Sequence, residues 1–302
     1  MFESIYLYKL IATLLITNSH MGPLYGRFDA FAIGGALGNT FFFIASGFLA
    51  STKTTPFVPY MKKRVFRIWP AVIVVTIIMY FIGELPEYET VGEILRACVF
   101  PTAFWFVNAI IICYILFYIT NSRFQQYQTH IILGFLIAYL IYYLVIFDLK
   151  TMPLESGYGK VLYLFPAMLI GEKMKLSSAI DRIKAIWLWG AVFFASSTWL
   201  FFQLLAQKYP TLQILVPFSS IAVGILFLEL LLKYEEKIRA FAPMIKTIMH
   251  EIANATLEIY LVQVVIIRYM AKHIFPITVP VTFVLIISVA IILRRVLNLK
   301  KG

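Results

Sequence analysis

The chain has 302 residues, of which 61% are hydrophobic and only 14% charged. A soluble domain is about 45–50% apolar and about 25% charged. Lipid must therefore solvate much of this chain, which excludes a soluble enzyme, a disulfide-stapled secreted scaffold and a disordered regulator. The net charge is +11. In a soluble protein that excess would point to nucleic acid, but the basic loops of an integral membrane protein account for it, and no nucleic-acid partner is expected. Cys98 and Cys113 lie in or beside apolar runs. They support neither a disulfide framework nor a Cys-based site, and no metal is expected.

A span needs roughly 17–25 mostly apolar residues. Hydropathy predicts an all-α, polytopic membrane bundle of about ten transmembrane helices, over about 4–20, 30–50, 68–83, 103–120, 131–147, 160–171, 185–206, 214–232, 251–271 and 276–293. The sixth is short enough to be broken or re-entrant. Lys9 interrupts the first apolar run, so no cleavable signal peptide is expected. No separate soluble domain is visible, and residues 1–302 read as one transmembrane domain. Of the 26 Lys and Arg, eighteen lie on the side that holds both termini and the even-numbered connections. Seven lie opposite: Arg27, Arg96, Lys150, Lys160, Lys208, Arg268 and Lys272. The positive-inside rule then places both termini in the cytoplasm, with the chain in the inner membrane. The outer side is acidic at Glu84, Glu87, Glu89 and Glu93.

A charge at mid-bilayer costs about 2.5–3.5 kcal/mol, so each one within a span needs a reason. Lys9 and His20 are eleven residues apart in the first span. At 100° per residue they share a helix face, separated by about 16 Å along the axis, with Thr13 near the same stripe. Spacing alone leaves two readings open. Either Lys9 snorkels inward and His20 is interfacial, or both serve function. Glu251, Asn254 and Glu258 form a second stripe at i, i+3 and i+7 in the ninth span, with Gln263 beyond. That row should face the bundle interior or a wet cavity, unless the helix simply begins in water with Glu251 near its positive end. The second span is rich in small residues (Gly34, Gly35, Gly38, Ser46, Gly47), and its Gly34/Gly38 step reads as helix packing. Behind it lies the basic stretch STKTTPFVPYMKKRVFRIWP. There Arg64 and Arg67 are suited either to hold phosphate bidentately or to touch anionic lipid heads.

Ordered blocks make the chain resemble the acyltransferase-3 family, bacterial membrane O-acyltransferases of cell-surface glycans. They are Lys9 with His20, FFFIASGFL (Phe41 to Leu49), KKRVFRIWP (Lys62 to Pro70), FWFVNAIIICYILF (Phe104 to Phe117), YLFPAMLIGEKM (Tyr163 to Met174) and LEIYLVQVVI (Leu257 to Ile266). The segment around Ser46-Gly47-Phe48 followed by the Arg-rich block is the most specific. Two departures stand out. Lys9 replaces the family's usual Arg, keeping charge without planar bidentate geometry, and Gln263 stands where many members have His. The resemblance implies acyl transfer from cytoplasmic acyl-CoA, acetyl-CoA by family default, to a glycan or glycolipid hydroxyl at the outer face. His20 is then the expected general base, and Lys9 stabilises the oxyanion or holds the donor. Arg64 and Arg67 bind CoA phosphates. Glu258, Glu251, Asn254 and Ser46 are candidates for contacting the acceptor. The rival readings are a transporter or flippase with polar stripes as its path, and a degenerate family member that assists glycan export.

Overall fold

The computed structural model describes residues 2–50, 55–84, 90–100, 104–146, 158–176, 184–272 and 276–299. The expected acidic residues Glu87 and Glu89, and the basic Lys53, Lys150, Arg182, Lys300 and Lys301, lie outside the described residues. Among the described residues the chain is helical with no strand. Helices are the natural outcome for an apolar chain in lipid, because each satisfies its own backbone polar groups. They are α1 (Glu3–Ser19), α2 (Gly22–Tyr25), α3 (Gly35–Leu49), α4 (Phe57–Phe81), α5 (Val91–Val99), α6 (Trp105–Arg123), α7 (Gln128–Ile141), α8 (Val161–Leu176), α9 (Ala185–Lys208), α10 (Leu215–Lys233), α11 (Glu235–Arg239), α12 (Pro243–Asn254), α13 (Thr256–Met270) and α14 (Thr278–Leu299).

The polytopic all-α architecture is as read from hydropathy. Among the described residues, six helices are long and apolar enough to cross a membrane, or up to eight if each of two bent pairs is one span. α1 and α8 are apolar but slightly shorter, at 17 and 16 residues. Three predicted boundaries change. The sixth span is an unbroken helix to Leu176, with Pro166 inside it. The third starts earlier, so Arg64 and Arg67 belong to α4 itself and not to a loop before it. The ninth is not one helix: α12 and α13 meet at a 73° bend. The short α5 was not expected from hydropathy. Its start is fixed by a capping box, in which Thr90 accepts from the Glu93 backbone at 3.3 Å and Glu93 accepts from the Thr90 backbone at 2.9 Å.

The chain divides into two compact units. The first contains residues 1–12, 36–55 and 109–243. In it α7 packs on α8, and α9 and α8 each pack on α10. α3 and α8 meet backbone to backbone. A Cβ on Gly47 would stand 1.7 Å from the Met168 carbonyl oxygen, and one on Gly171 would stand 2.0 Å from that of Ile44. Tyr8 is fully buried, donates its hydroxyl to the Gly224 carbonyl at 2.9 Å and stacks on Phe41. The Glu235 carboxylate caps the start of α1, accepting from the backbone N–H groups of Glu3 and Ser4 at 2.9 Å each and from Arg239 at 3.1 Å. Those orphan amides carry the positive end of the helix dipole, so a carboxylate belongs there.

The second unit contains residues 13–35, 56–108 and 244–302. Here α13 packs against α14, α4 and α2, and α4 also packs against α5 and α14. Gly34 adopts φ +110°, a left-handed conformation that turns the chain toward α3 and that only glycine takes readily. Gly34 stands before α3, so the Gly34/Gly38 step lies on no single helix, but the position is closely packed: a Cβ there would come 3.3 Å from the Leu15 carbonyl oxygen of α1. Arg268 forms an ion pair with Glu84, and Arg294 and Arg295 each lie 3.6 Å from Glu251.

Candidate functional site

In the second unit, the later half of α1 lies along α13. Thr13 donates to the Thr256 hydroxyl at 3.0 Å, and Thr256 in turn donates to the Ala253 carbonyl at 2.9 Å. Beyond this pair a small cavity is lined by Thr13, Ile16, Thr17, Phe106, Thr256, Ile259, Tyr260 and Gln263. On α1 these are positions i, i+3 and i+4; on α13 they are i, i+3, i+4 and i+7, one stripe on each helix. Both stripes advance away from the Thr13–Thr256 contact, so the two helices run in the same direction past the cavity. The aromatic wall is Phe106 against Tyr260, with ring centres 4.9 Å apart. The cavity measures about 10 Å³, room for about one water-sized group.

Gln263 lies in this wall with no exposure at all, and neither its Oε1 nor its Nε2 has a hydrogen-bond partner. A buried amide without partners costs about 1–3 kcal/mol, so the position is expensive as it stands. His20 follows Thr17 by three residues. It sits in the turn that ends α1, its backbone N–H bonded to the Thr17 carbonyl at 3.1 Å, and it is exposed. Thr13 to His20 and Thr256 to Gln263 are each seven residues, about 10.5 Å of helix rise. The adjoining α2 packs on α13.

At the other end of the stripe is the break between α12 and α13. A break leaves carbonyls at the end of the first helix without partners, and in lipid they must find them. Two are served from outside the helix backbone. The Ala253 carbonyl takes the Thr256 hydroxyl, and the Asn254 carbonyl takes Nη2 of Arg67 at 2.9 Å. Arg67 is otherwise exposed, whereas the Arg64 guanidinium lies 3.4 Å over the Tyr60 ring and donates to the Tyr60 carbonyl at 3.1 Å.

The break overturns the expected single stripe of Glu251, Asn254 and Glu258. Glu258 is buried in the first turn of α13, where the positive helix end favours a carboxylate. Glu251 is near the end of α12, not at a helix start, and its charge there is met by Arg294 and Arg295. Asn254 presents its carbonyl to Arg67. Of the other sequence-derived candidates, Lys9 and Ser46 belong to the first unit; Lys9 is half-buried, and the Ser46 carbonyl accepts the Ala50 N–H at 3.0 Å. His20, Arg64, Arg67, Glu251, Asn254 and Glu258 belong to the second. The Thr13–Thr256 contact and the lining roles of Thr17 and Tyr260 escaped the sequence reading, although the spacing Thr256, Ile259, Tyr260, Gln263 carries the signal. Among the described residues, no group of three or more His, Cys, Asp or Glu side chains could hold a metal ion.

No curated protein and no solved structure matches the chain. One protein family does, described as an acyltransferase domain, and its match runs over residues 2–294. Nearly the whole sequence is covered, including α1 with its closing histidine, the Arg-rich start of α4 and the α13 stripe, and so the chain belongs to the acyltransferase-3 family and is a membrane acyltransferase.

Proposed function

We propose that the protein is an O-acyltransferase of the inner membrane with both termini in the cytoplasm. It takes an acyl group, acetyl by family default, from cytoplasmic acyl-CoA and delivers it to a hydroxyl of a cell-surface glycan or glycolipid at the outer face. The observation that carries this reading is His20 at the exposed end of the α1 stripe, one turn beyond a cavity lined by three threonine hydroxyls. A sugar hydroxyl is a poor nucleophile near neutral pH, and an imidazole within reach is the usual remedy.

In the proposed step His20 accepts the hydroxyl proton as the oxygen forms its bond to the thioester carbon. The carbon–sulfur bond then breaks, and the CoA thiolate leaves with the electron pair and is protonated from solvent. Lys9, the basic residue of the first-helix motif, is read as stabilising the oxyanion or holding part of the donor. Arg67 spends one N–H on Asn254, and its other guanidinium donors suit CoA phosphates. Arg64, one turn earlier on the same face of α4, is read as part of the same basic donor site. Glu258, Glu251 and Asn254 are better explained by the helix break than by substrate contact, and Ser46 by its place beside the α3–α8 crossing.

The test uses purified protein in lipid nanodiscs with radiolabelled acetyl-CoA and candidate glycolipids. His20→Ala should lower turnover by about 10²–10⁴-fold while donor binding is kept. Turnover of the native protein should also fall in acid, since an imidazolium has no lone pair for the hydroxyl proton. Transfer at the native rate by His20→Ala would remove the residue from the reaction.

A further inference from the structure

We infer that Gln263 is the group that holds the acceptor hydroxyl in place for His20. The inference rests on the acyl-transfer reading above and adds to it a positioning residue and the site of the acceptor. Three observations on one helix pair carry it. The first is the Gln263 side chain itself, wholly buried in the cavity wall with donor and acceptor both unpartnered. Native structures rarely leave such a group unsatisfied without a water, an ion, a ligand or a functional reason. The second is the size and lining of the space. It takes one small group, and its lining is mainly apolar; Thr13, Thr17, Thr256 and Gln263, beside Tyr260, are the residues in it that carry a hydroxyl or amide. The third is spacing: from the Thr13–Thr256 contact, His20 and Gln263 each follow by seven residues, so helices that run on together from that contact carry both toward the same end.

The chemistry of the amide then selects among the groups that take part in the reaction. A thioester carbonyl only accepts, so it would satisfy Nε2 and leave Oε1 orphaned. An alcohol hydroxyl donates and accepts, and so matches an amide that offers both. The narrow space suits one water-sized group such as a hydroxyl and not a sugar ring, which stays outside with the exposed His20. Gln263 has no useful basicity, so it orients the hydroxyl and leaves the proton transfer to His20. The substitution of Gln for His at this position therefore keeps one donor and one acceptor while removing a second titratable group from the neighbourhood of the base.

The experiment uses the full chain in nanodiscs or a detergent without a sugar headgroup. A panel of methyl mono- and disaccharides serves as acceptor probes and acetyl-CoA as the donor, with binding read as the rise in unfolding midpoint. Native protein should be stabilised by at least one saccharide and by acetyl-CoA. Gln263→Leu should keep the acetyl-CoA effect and lose the saccharide effect. Where transfer is measurable, its acceptor KM should rise roughly five- to 150-fold, the worth of two neutral hydrogen bonds, with donor KM unchanged. Gln263→His, which restores a donor and an acceptor, should recover saccharide binding. No saccharide effect on native protein, equal effects on native and Gln263→Leu, or loss of the acetyl-CoA effect alone would each overturn the inference. Saccharide binding that depends on Gln263 in a protein that transfers no acyl group would instead sink the acyl-transfer reading and leave the hydroxyl site standing.

Discussion

Replacing Gly47 by alanine separates packing from chemistry in the most family-specific block of the sequence. The Gly47 position faces the Met168 backbone so closely that an added Cβ would lie 1.7 Å from the carbonyl oxygen and 2.7 Å from its carbon. Ordinary contact begins near 3.4 Å. The two helices would have to part by about 1.7 Å, and the obstacle is backbone, not a side chain that can swing away. The same crossing is notched from the other side by Gly171 against Ile44, so α8 has no slack to give. Two terms oppose each other. Alanine is better than glycine in a helix by about 1 kcal/mol. Overpacking a close contact costs about 1–3 kcal/mol and occasionally more, and a backbone clash of this depth belongs at the top of that range. The net expectation is a loss of about 2 kcal/mol, seen as a lower unfolding midpoint of purified Gly47→Ala, with Ser46→Ala near native as the control. A Gly47→Ala protein as stable as native, or more so, would refute the packing assignment, because helix propensity alone predicts that sign.

Two further outcomes follow from the contacts described. Arg67→Glu should weaken acetyl-CoA binding tenfold or more at low ionic strength and less in high salt, as expected when a phosphate contact is reversed in sign; unchanged affinity in a folded protein would leave Arg67 as a partner of Asn254 only. Burial works to raise the Glu235 carboxyl, but hydrogen bonds from Ser4, Glu3 and Arg239 outweigh it and hold the group below the usual carboxylate range. A lowered carboxyl stabilises the fold above its unfolded value, and that contribution disappears as pH falls through the folded one. Glu235→Gln should therefore lower the unfolding midpoint at neutral pH by the equivalent of about 1–3 kcal/mol, with the gap to native closing in acid; a gap independent of pH would contradict the charge-based account of the α1 cap.

Much of this was legible in the sequence because lipid simplifies the code. Long apolar runs can only be helices, and the membrane helices follow. The placement of His20 at the end of α1 was also readable, since one helix face and one period suffice. What failed was the assumption that an apolar run is a straight helix. Nothing in EIANATLEIYL marks Ala255 as a break, because no proline or glycine stands there. The break is held instead by partners distant in sequence, Arg67 for one carbonyl, or by a local hydroxyl, Thr256 for another. Periodicity computed across it gave Glu251 and Glu258 a common face that they do not have. Gln263 was visible as a departure from the family pattern, but its isolation inside the wall depends on Thr13, Thr17 and Phe106, which no local window contains.

The break also bears on how the two ends of the proposed site are connected. α13 begins at Thr256, so its orientation depends on what anchors that first turn. Thr13 and Thr256 tie it to α1, and Arg67 ties the residue just before the break to α4. An anion that claims the remaining Arg67 donors competes for, or reinforces, a contact that helps hold the start of the Thr256, Ile259, Tyr260, Gln263 stripe. Because α13 is one continuous helix from Thr256 to Met270, a small tilt at its start is carried along its length, about 10.5 Å to Gln263. A donor at the arginine pair and an acceptor at the glutamine would therefore act on the same rigid element from its two ends. Under that arrangement, acetyl-CoA should change the saccharide affinity of the native protein, and by reciprocity saccharide should change acetyl-CoA affinity by the same factor. Arg67→Ala should abolish the mutual effect more completely than it lowers either affinity alone. Independent binding of the two in the native protein would show that α13 does not transmit between them.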